Sequence, residues 1–254
     1  MVKYLTITKD YLNTMDNYDN YTDHIRQLYN EMDEIWPTND KLYLYTKSII
    51  EKKVGKWLNS YDSSYILNAG SGGTEYEVRG KVCHLDIAEN KIRNKEDFII
   101  GSIENIPIQD ELFDFVICVG SVINYINNIS AALEELTRTL KNGGFLILEY
   151  ERTNTAELWF KKNHNDDCFF KVYQYNGAEH GIWLYSDKLI NSLMFSNSMK
   201  LQKQYRFHSL SSVAARFNRK ERTQFFLTKF DKIVYPFSYF MAHNRICLWK
   251  KSFS

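Results

Sequence analysis

From residue 65 onward the chain alternates short apolar runs with helical or turn-forming segments, and few architectures accept that alternation. The runs cover residues 65–67, 81–85, 97–100, 113–119 and 145–148. Each is too short and too evenly apolar to be half of an amphipathic helix, and each is bounded by glycine, proline or acidic residues. Strands that alternate with helices form a mostly parallel sheet covered on both faces. Ahead of them, residues 17–34 and 41–58 place apolar side chains at helical spacing: Ile25, Leu28, Tyr29 and Met32, then Leu44, Ile49, Ile50, Val54 and Leu58. The stretch Trp36-Pro37-Thr38-Asn39-Asp40 between them reads as a turn, with Asp40 as the cap of the second helix. Residues 129–144, "ISAALEELTRTLKNGG", read as an amphipathic helix stopped by Asn142-Gly143-Gly144.

The first strand runs straight into a glycine cluster. Ile66-Leu67-Asn68-Ala69 is followed by Gly70, Gly72 and Gly73, three of only eleven glycines in the chain. A strand, a glycine-rich turn and then a helix set backbone N–H groups at the carboxyl end of the sheet, where open α/β sheets bind their ligands. The second strand ends in Asp86, placed to accept hydrogen bonds from ribose hydroxyls. These two features together indicate an adenosine-containing ligand and leave its identity open.

The third and fourth strands narrow it. After strand three comes "GSIENIPIQDELFDF", a glycine-acidic turn, a proline loop and Phe113-Asp114-Phe115 opening strand four; "LKNGGFLIL" then leads into strand five. In this order and spacing the chain resembles the class I S-adenosylmethionine-dependent methyltransferases, in particular their small-molecule group. The resemblance covers residues 62–150 and continues loosely to "AHNRICLWKK", which looks like that family's last, antiparallel strand. It implies a Rossmann-like, doubly wound α/β fold with a seven-stranded, mostly parallel sheet. Residues 1–60 are then an N-terminal helical lid, and residues 61–254 the methyltransferase domain, with substrate-side insertions at about 153–185 and 208–240. The whole is one structural domain.

The resemblance also implies roles for single residues. Asn68, Ala69, Gly70, Ser71 and Gly72 would lie under the methionine part of the cofactor S-adenosyl-L-methionine, whose product is S-adenosyl-L-homocysteine. Asp86 would bind the ribose and Ile87 would pack on the adenine. Ser102, Ile103 and Glu104 would line the adenine edge. Val119, Gly120 and Ser121 would border the sulfonium, and Tyr18 or Tyr21 would close over the site. Two positions depart from the family pattern, which usually carries an acid where this chain has Asn68 and an aspartate where it has Ser102. A neutral group at each gives up a charge-assisted hydrogen bond.

Substrate is expected beyond strands four and five, at Asn124, Tyr125, His180 and Trp183. Glu151 and His208 are the candidate proton acceptors, needed if the nucleophile arrives protonated. A charge asymmetry adds Arg206 and Arg216. Residues 200–222 hold seven bases against the single acid Glu221, which suits an anionic small molecule. The expected activity is therefore methyl transfer to an oxygen or nitrogen of such a molecule. A cofactor-binding but non-catalytic module of the same fold remains open. So does a nicotinamide-dependent oxidoreductase, although "GSGGTE" puts Glu75 where that class wants its last glycine.

Composition limits the partners. A net charge of +1 supplies no general field for nucleic acid. No apolar stretch approaches a membrane span, and no membrane partner is expected. The histidines lack metal-ligand spacing, so no metal is expected. Cys83, Cys118, Cys168 and Cys247 form no CxxC, which fits a reducing cytoplasm.

Overall fold

A computed structural model describes residues 18–61, 64–161, 164, 166–175, 178–217 and 219–252. Two helices lead, α1 (Tyr18–Glu31) and α2 (Lys41–Leu58). Asp40 caps α2 as its position predicts, accepting from Leu42 N–H at 2.9 Å and Tyr43 N–H at 3.0 Å. The strands and the helices between them follow with β1 (Tyr65–Ala69), β2 (Lys81–Asp86), α3 (Glu89–Ile92), β3 (Phe98–Ile100), β4 (Phe113–Cys118), α4 (Ile129–Arg138) and β5 (Leu140–Glu151). The helix expected after the glycine turn is absent: residues 70–80 run through turns directly to β2. A hairpin of β6 (Cys168–Tyr175) and β7 (Ala178–Tyr185) precedes α5 (Asp187–Ser196) and β8 (Met199–Phe207). Helices α6 (Ser209–Arg216), α7 (Glu221–Thr228) and α8 (Ser238–Met241) lead to β9 (Asn244–Lys251).

Seven strands form one sheet in the order β3-β2-β1-β4-β5-β9-β8. The pairs from β3 across to β5 are parallel, and β9 runs antiparallel to both β5 and β8. The two-residue side-chain period explains why the strand sequences are apolar throughout. In β1, Ile66 turns to one face and packs with Ile50, Val54 and Trp57 of α2, whereas Leu67 turns to the other and meets Leu133 and Leu136 of α4. Strands β4, β5 and β9 split their apolar residues the same way. The strand order reverses between β1 and β4, which opens a crevice at their carboxyl ends.

One boundary differs from expectation. Helix α4 ends at Arg138, not at the glycines, and Leu140 already pairs with Phe113. The next register partners are Phe115 and Phe145, so the chain around Gly143 and Gly144 bulges out of β5. A Cβ on Gly144 would stand 2.9 Å from Lys141 O and 3.0 Å from Asp114 O. The Gly-Gly pair therefore serves close strand packing and does not terminate the helix.

Candidate cofactor and substrate site

The loop after β1 is held from three sides. Gly70 and Ser71 N–H groups donate to Leu85 O of β2, at 2.8 and 3.1 Å. Asp86 reaches back from the end of β2, its carboxylate accepting from Gly72 N–H at 2.7 Å and Ala88 N–H at 2.8 Å. Burial raises the Asp86 pKa, and those same N–H bonds oppose the rise. Asn68 donates its side-chain amide to Thr74 O at 2.8 Å and so clips the turn shut. A carboxylate cannot donate that bond, which gives the departure from the family's acid a local reason. Gly70 sits at φ +66°, and a Cβ there would lie 2.4 Å from a Val122 methyl. Bare backbone is required at this point.

Val122 belongs to the turn after β4, whose backbone hangs on a buried acid. Glu149 of β5 accepts from Gly120 N–H at 2.9 Å and Ser121 N–H at 2.7 Å through one oxygen, and from Asn244 Nδ2 at 2.8 Å through the other. Full burial pushes its pKa up to about 7 against these bonds. Two residues on, Glu151 accepts from Ser121 Oγ at 3.2 Å and pairs with His243 Nε2 at 2.7 Å. His243 Nδ1 lies 3.2 Å from Glu157, off the direction of a hydrogen bond, and Glu157 binds Lys171 at 2.8 Å. Burial works against charge on both members of the Glu151–His243 pair. Their mutual attraction wins, leaving the Glu151 pKa lowered and the His243 pKa raised.

A single cavity of about 2210 Å³ joins these parts. At one end it is lined by Asn68, Gly70, Ser71, Gly72, Asp86 and Ile87, with Ser102, Ile103 and Glu104 alongside. Val119, Gly120, Ser121 and Tyr125 border its middle. At the other end stand Glu151, His208 and His243, then Lys161, Lys171 and Arg216. The segment 32–40 lines the cavity, and Ile35 and Trp36 face Gly72 and Gly120.

The residues present fit S-adenosylmethionine. Each Asp86 oxygen takes one backbone N–H, and a carboxylate oxygen can accept a second donor, here a ribose hydroxyl. Ser102 and Glu104 line the cavity while also stiffening their loop. Ser102 Oγ accepts from Glu104 N–H at 3.1 Å, and Glu104 accepts from Asn128 N–H at 2.6 Å.

Several expected site residues stand elsewhere. Ala69 is core, fully buried in β1. Tyr21 is buried under the β6–β7 hairpin, where its hydroxyl donates to Gly181 O at 2.8 Å; it does not close over the cofactor. Asn124 is a brace, fully buried, which bonds Glu151 N–H and O and Trp183 O. Trp183 packs its ring on Phe170. Arg206 lies outside the cavity, bound at 2.9 Å to Asp187, which also holds Arg152 at 2.9 Å. His208 lines the cavity, but both its ring nitrogens are engaged, Nε2 by Thr46 Oγ1 at 2.7 Å and Nδ1 by Ser211 Oγ at 3.0 Å. Burial pushes its pKa down to about 3, so it stays neutral and ties α2 to α6. Arg216 lines the cavity, with its Nε donated to Trp159 O at 2.8 Å. The side chains of Tyr18 and His180 lie outside the described residues, although His180 sits in β7 opposite Tyr173.

Glu149, Glu157, Lys171 and His243 had no mark in the sequence. A buried acid in the middle of "LILEYE" was the one available signal, because a charge in a central strand requires partners.

The known proteins that resemble this chain agree with the geometry. Residues 67–148 match the model of a methyltransferase domain. An uncharacterized protein of Methanocaldococcus jannaschii is 30% identical over 125 residues, covering 45% of this chain and 55% of its own length. A demethylmenaquinone methyltransferase of Staphylococcus saprophyticus is 26% identical over 180 residues, covering 58% of this chain and 76% of its own length. The chain thus spans about half of the first of these relatives and three quarters of the second. Among solved structures, the 1,6-didemethyltoxoflavin-N1-methyltransferase of Burkholderia thailandensis superposes with a TM-score of 0.58 at 10% identity. That match covers 99% of this chain and 95% of the other, which was solved with 1,6-didemethyltoxoflavin and S-adenosylhomocysteine bound. At that identity the likeness is one of fold.

Proposed function

We propose that residues 67–148, which match a methyltransferase domain, form the cofactor-binding core of a class I methyltransferase that uses S-adenosylmethionine. The protein transfers a methyl group to an oxygen or nitrogen of a small molecule that carries an anionic group. The observation that carries this reading is the continuity of the cavity. It runs from Asp86 and the glycine turn, past Gly120 and Ser121, to Glu151 and His243 and on to Lys161, Arg216 and Arg219.

When bound, the cofactor supplies an electrophilic methyl on a sulfonium, and the protein's part is position and dryness. Gly70 and Gly72 let the turn close against Val122 and Ile35, so that its bare backbone borders the methionine portion. Asp86 accepts from the ribose. Glu149 fixes the Gly120–Ser121 backbone that borders the reacting centre. The Glu151–His243 pair stands where a hydroxyl or amine nucleophile would enter; the Glu151 carboxylate, with Oε1 toward Ser121, takes up its proton, and His243 holds that carboxylate in place. Helix α1 and segment 32–40 act as a lid that excludes water; the rest of the proposed lid, residues 1–17, lies outside the described residues. Lys161, Arg216 and Arg219 draw in the anionic end of the substrate. Four unbridged thiols suit a reducing cytoplasm.

Calorimetry on the purified chain tests the first half. S-adenosylmethionine and S-adenosylhomocysteine should bind at one site, and Asp86→Ala should weaken both by about 1–3 kcal/mol, the scale of a hydrogen bond to a charged group. Incubation of a cell extract with methyl-labelled cofactor tests the second half. Label in the small-molecule fraction is expected. Label only in protein or nucleic acid, or no binding of either compound at millimolar concentration, would refute the reading.

A further inference from the structure

The insertion between β8 and β9 is built inside out. Within residues 226–240 the buried side chains are polar: Thr228, Asp231 and Ser238. The large apolar ones face solvent, with Ile233 74% exposed, Phe237 63%, and Phe226, Phe230 and Phe240 also exposed. Phe160 extends the same surface. It is 90% exposed, and its neighbour Trp159 donates its indole N–H to Phe240 O at 3.1 Å. Folding alone does not produce this reversal, because burying such side chains is the main favourable term in folding. Polar anchors beneath and phenylalanines above describe a surface that something else covers.

The charge on that surface identifies the cover. Between residues 216 and 232 six bases, Arg216, Arg219, Lys220, Arg222, Lys229 and Lys232, stand against the acids Glu221 and Asp231. Asp231 is buried, its carboxylate spent on Ser209 and Leu210 N–H. Lys229 and Lys232 are exposed between the aromatic positions, and the Lys229 ammonium lies 5.8 Å from the Phe226 ring centre. A second copy of the chain laid face to face would oppose like charges. Exposed aromatic and aliphatic side chains interleaved with lysines match an interface that is apolar below and anionic at the level of the head groups. No helix of the described residues is long and apolar enough to cross a membrane, so the contact is peripheral.

We propose that residues 226–240, with Phe160 beside them, dock this protein on an anionic lipid bilayer surface. The proposal departs from the expectation of no membrane partner, because this surface is made only when the insertion folds. Helix α7 carries Phe226 of the patch and also Gln224, which lines the cavity together with Arg216 at the end of α6 and Arg219 between the two helices. Docking therefore sets the cavity beside the bilayer. The inference does not depend on methyl transfer.

Co-sedimentation of the full chain with unilamellar vesicles tests it, using phosphatidylcholine alone or mixed with phosphatidylglycerol. Binding is expected only to the anionic vesicles, falling as salt is added. Lys229→Gln with Lys232→Gln should cost about thirtyfold in partitioning, at roughly fivefold per base near the surface. Ile233→Ser with Phe237→Ser should cost about tenfold or more by removing the inserted apolar area. Phe195→Ser, at an exposed phenylalanine of α5, should bind as wild type does. Thermal melts establish that each variant folds. Absence of binding to anionic vesicles at low salt, or unchanged binding by the Ile233/Phe237 variant, would overturn the proposal. So would a dimer that this variant dissolves in a chain that ignores vesicles, or a single-stranded oligonucleotide held more tightly than the vesicles.

Discussion

Replacing Gly70 by alanine isolates what the glycine turn contributes. At φ +66° an L-residue costs about 1–2 kcal/mol through its Cβ. The second cost is a collision, since that Cβ would stand 2.4 and 2.6 Å from the two Val122 methyls. Carbon atoms pack at about 3.5–4.0 Å, so Val122 must move by about an ångström or more. Overpacking of that kind costs about 1–3 kcal/mol. The sum, about 2–5 kcal/mol, is large against a typical domain stability of about 5–15 kcal/mol, yet it leaves the chain folded at the middle of that range. Urea unfolding of the wild type, Gly70→Ala, Val122→Ala and the double variant forms a cycle. Truncating Val122 removes the two methyl collisions, leaves its Cβ at a tight 3.0 Å, and leaves the backbone strain. The double variant should therefore recover about 1–3 kcal/mol relative to additivity, while the remaining 1–2 kcal/mol persists. S-adenosylhomocysteine affinity should fall steeply in Gly70→Ala and return in part in the double variant. Additivity within about 0.5 kcal/mol would refute the argument, because it would mean the methyls of Val122 are not what Gly70 avoids.

Glu149 should give the fold a pH dependence. Its pKa rises from the usual 4.5 to about 7 on folding, so the folded chain holds its proton after the unfolded chain has lost one. Stability then falls as pH rises from 4.5 to 7, by up to about 3 kcal/mol, and Glu149→Gln should flatten that part of the urea-midpoint profile. Asn68→Asp should lose the bond to Thr74 O and bring two acceptors together, costing about 1–3 kcal/mol in the same assay; an unchanged midpoint would show that the turn closes without it. Arg206→Ala should lower stability by about 1–3 kcal/mol through Asp187 and leave cofactor binding by calorimetry unaltered. Loss of binding in that variant would place Arg206 in the site after all.

Much of this protein can be read along the chain. The succession of apolar strands, the glycine turn after β1, Asp86 at the end of β2 and the Asp40 cap are local features, whereas the helix expected after the glycine turn does not form. Their geometry is set by backbone torsions and by neighbours a few residues away, so the residue types alone point to them. The outer half of the site arises differently. Glu149 and Glu151 meet Ser121, Asn244 and His243 because β5 lies between β4 and β9, and that adjacency joins residues about 30 and more than 90 positions apart. Such convergence leaves no spacing to count. The same distance hid the fate of the bases in residues 200–222. Arg206 faces Asp187 while Arg216 and Arg219 face the cavity, and only the packing of β8 against α5 and of α6 against residues 156–158 separates them. The Gly-Gly pair was legible as a turn but not as a strand bulge, since the choice depends on the partner that Leu140 finds in β4. Residues 226–240 show the limit most plainly. Their phenylalanines look like core in one dimension, and in three dimensions the neighbouring elements bury Thr228, Asp231 and Ser238 instead, because hydrophobicity determines that a side chain seeks cover but not which surface supplies it.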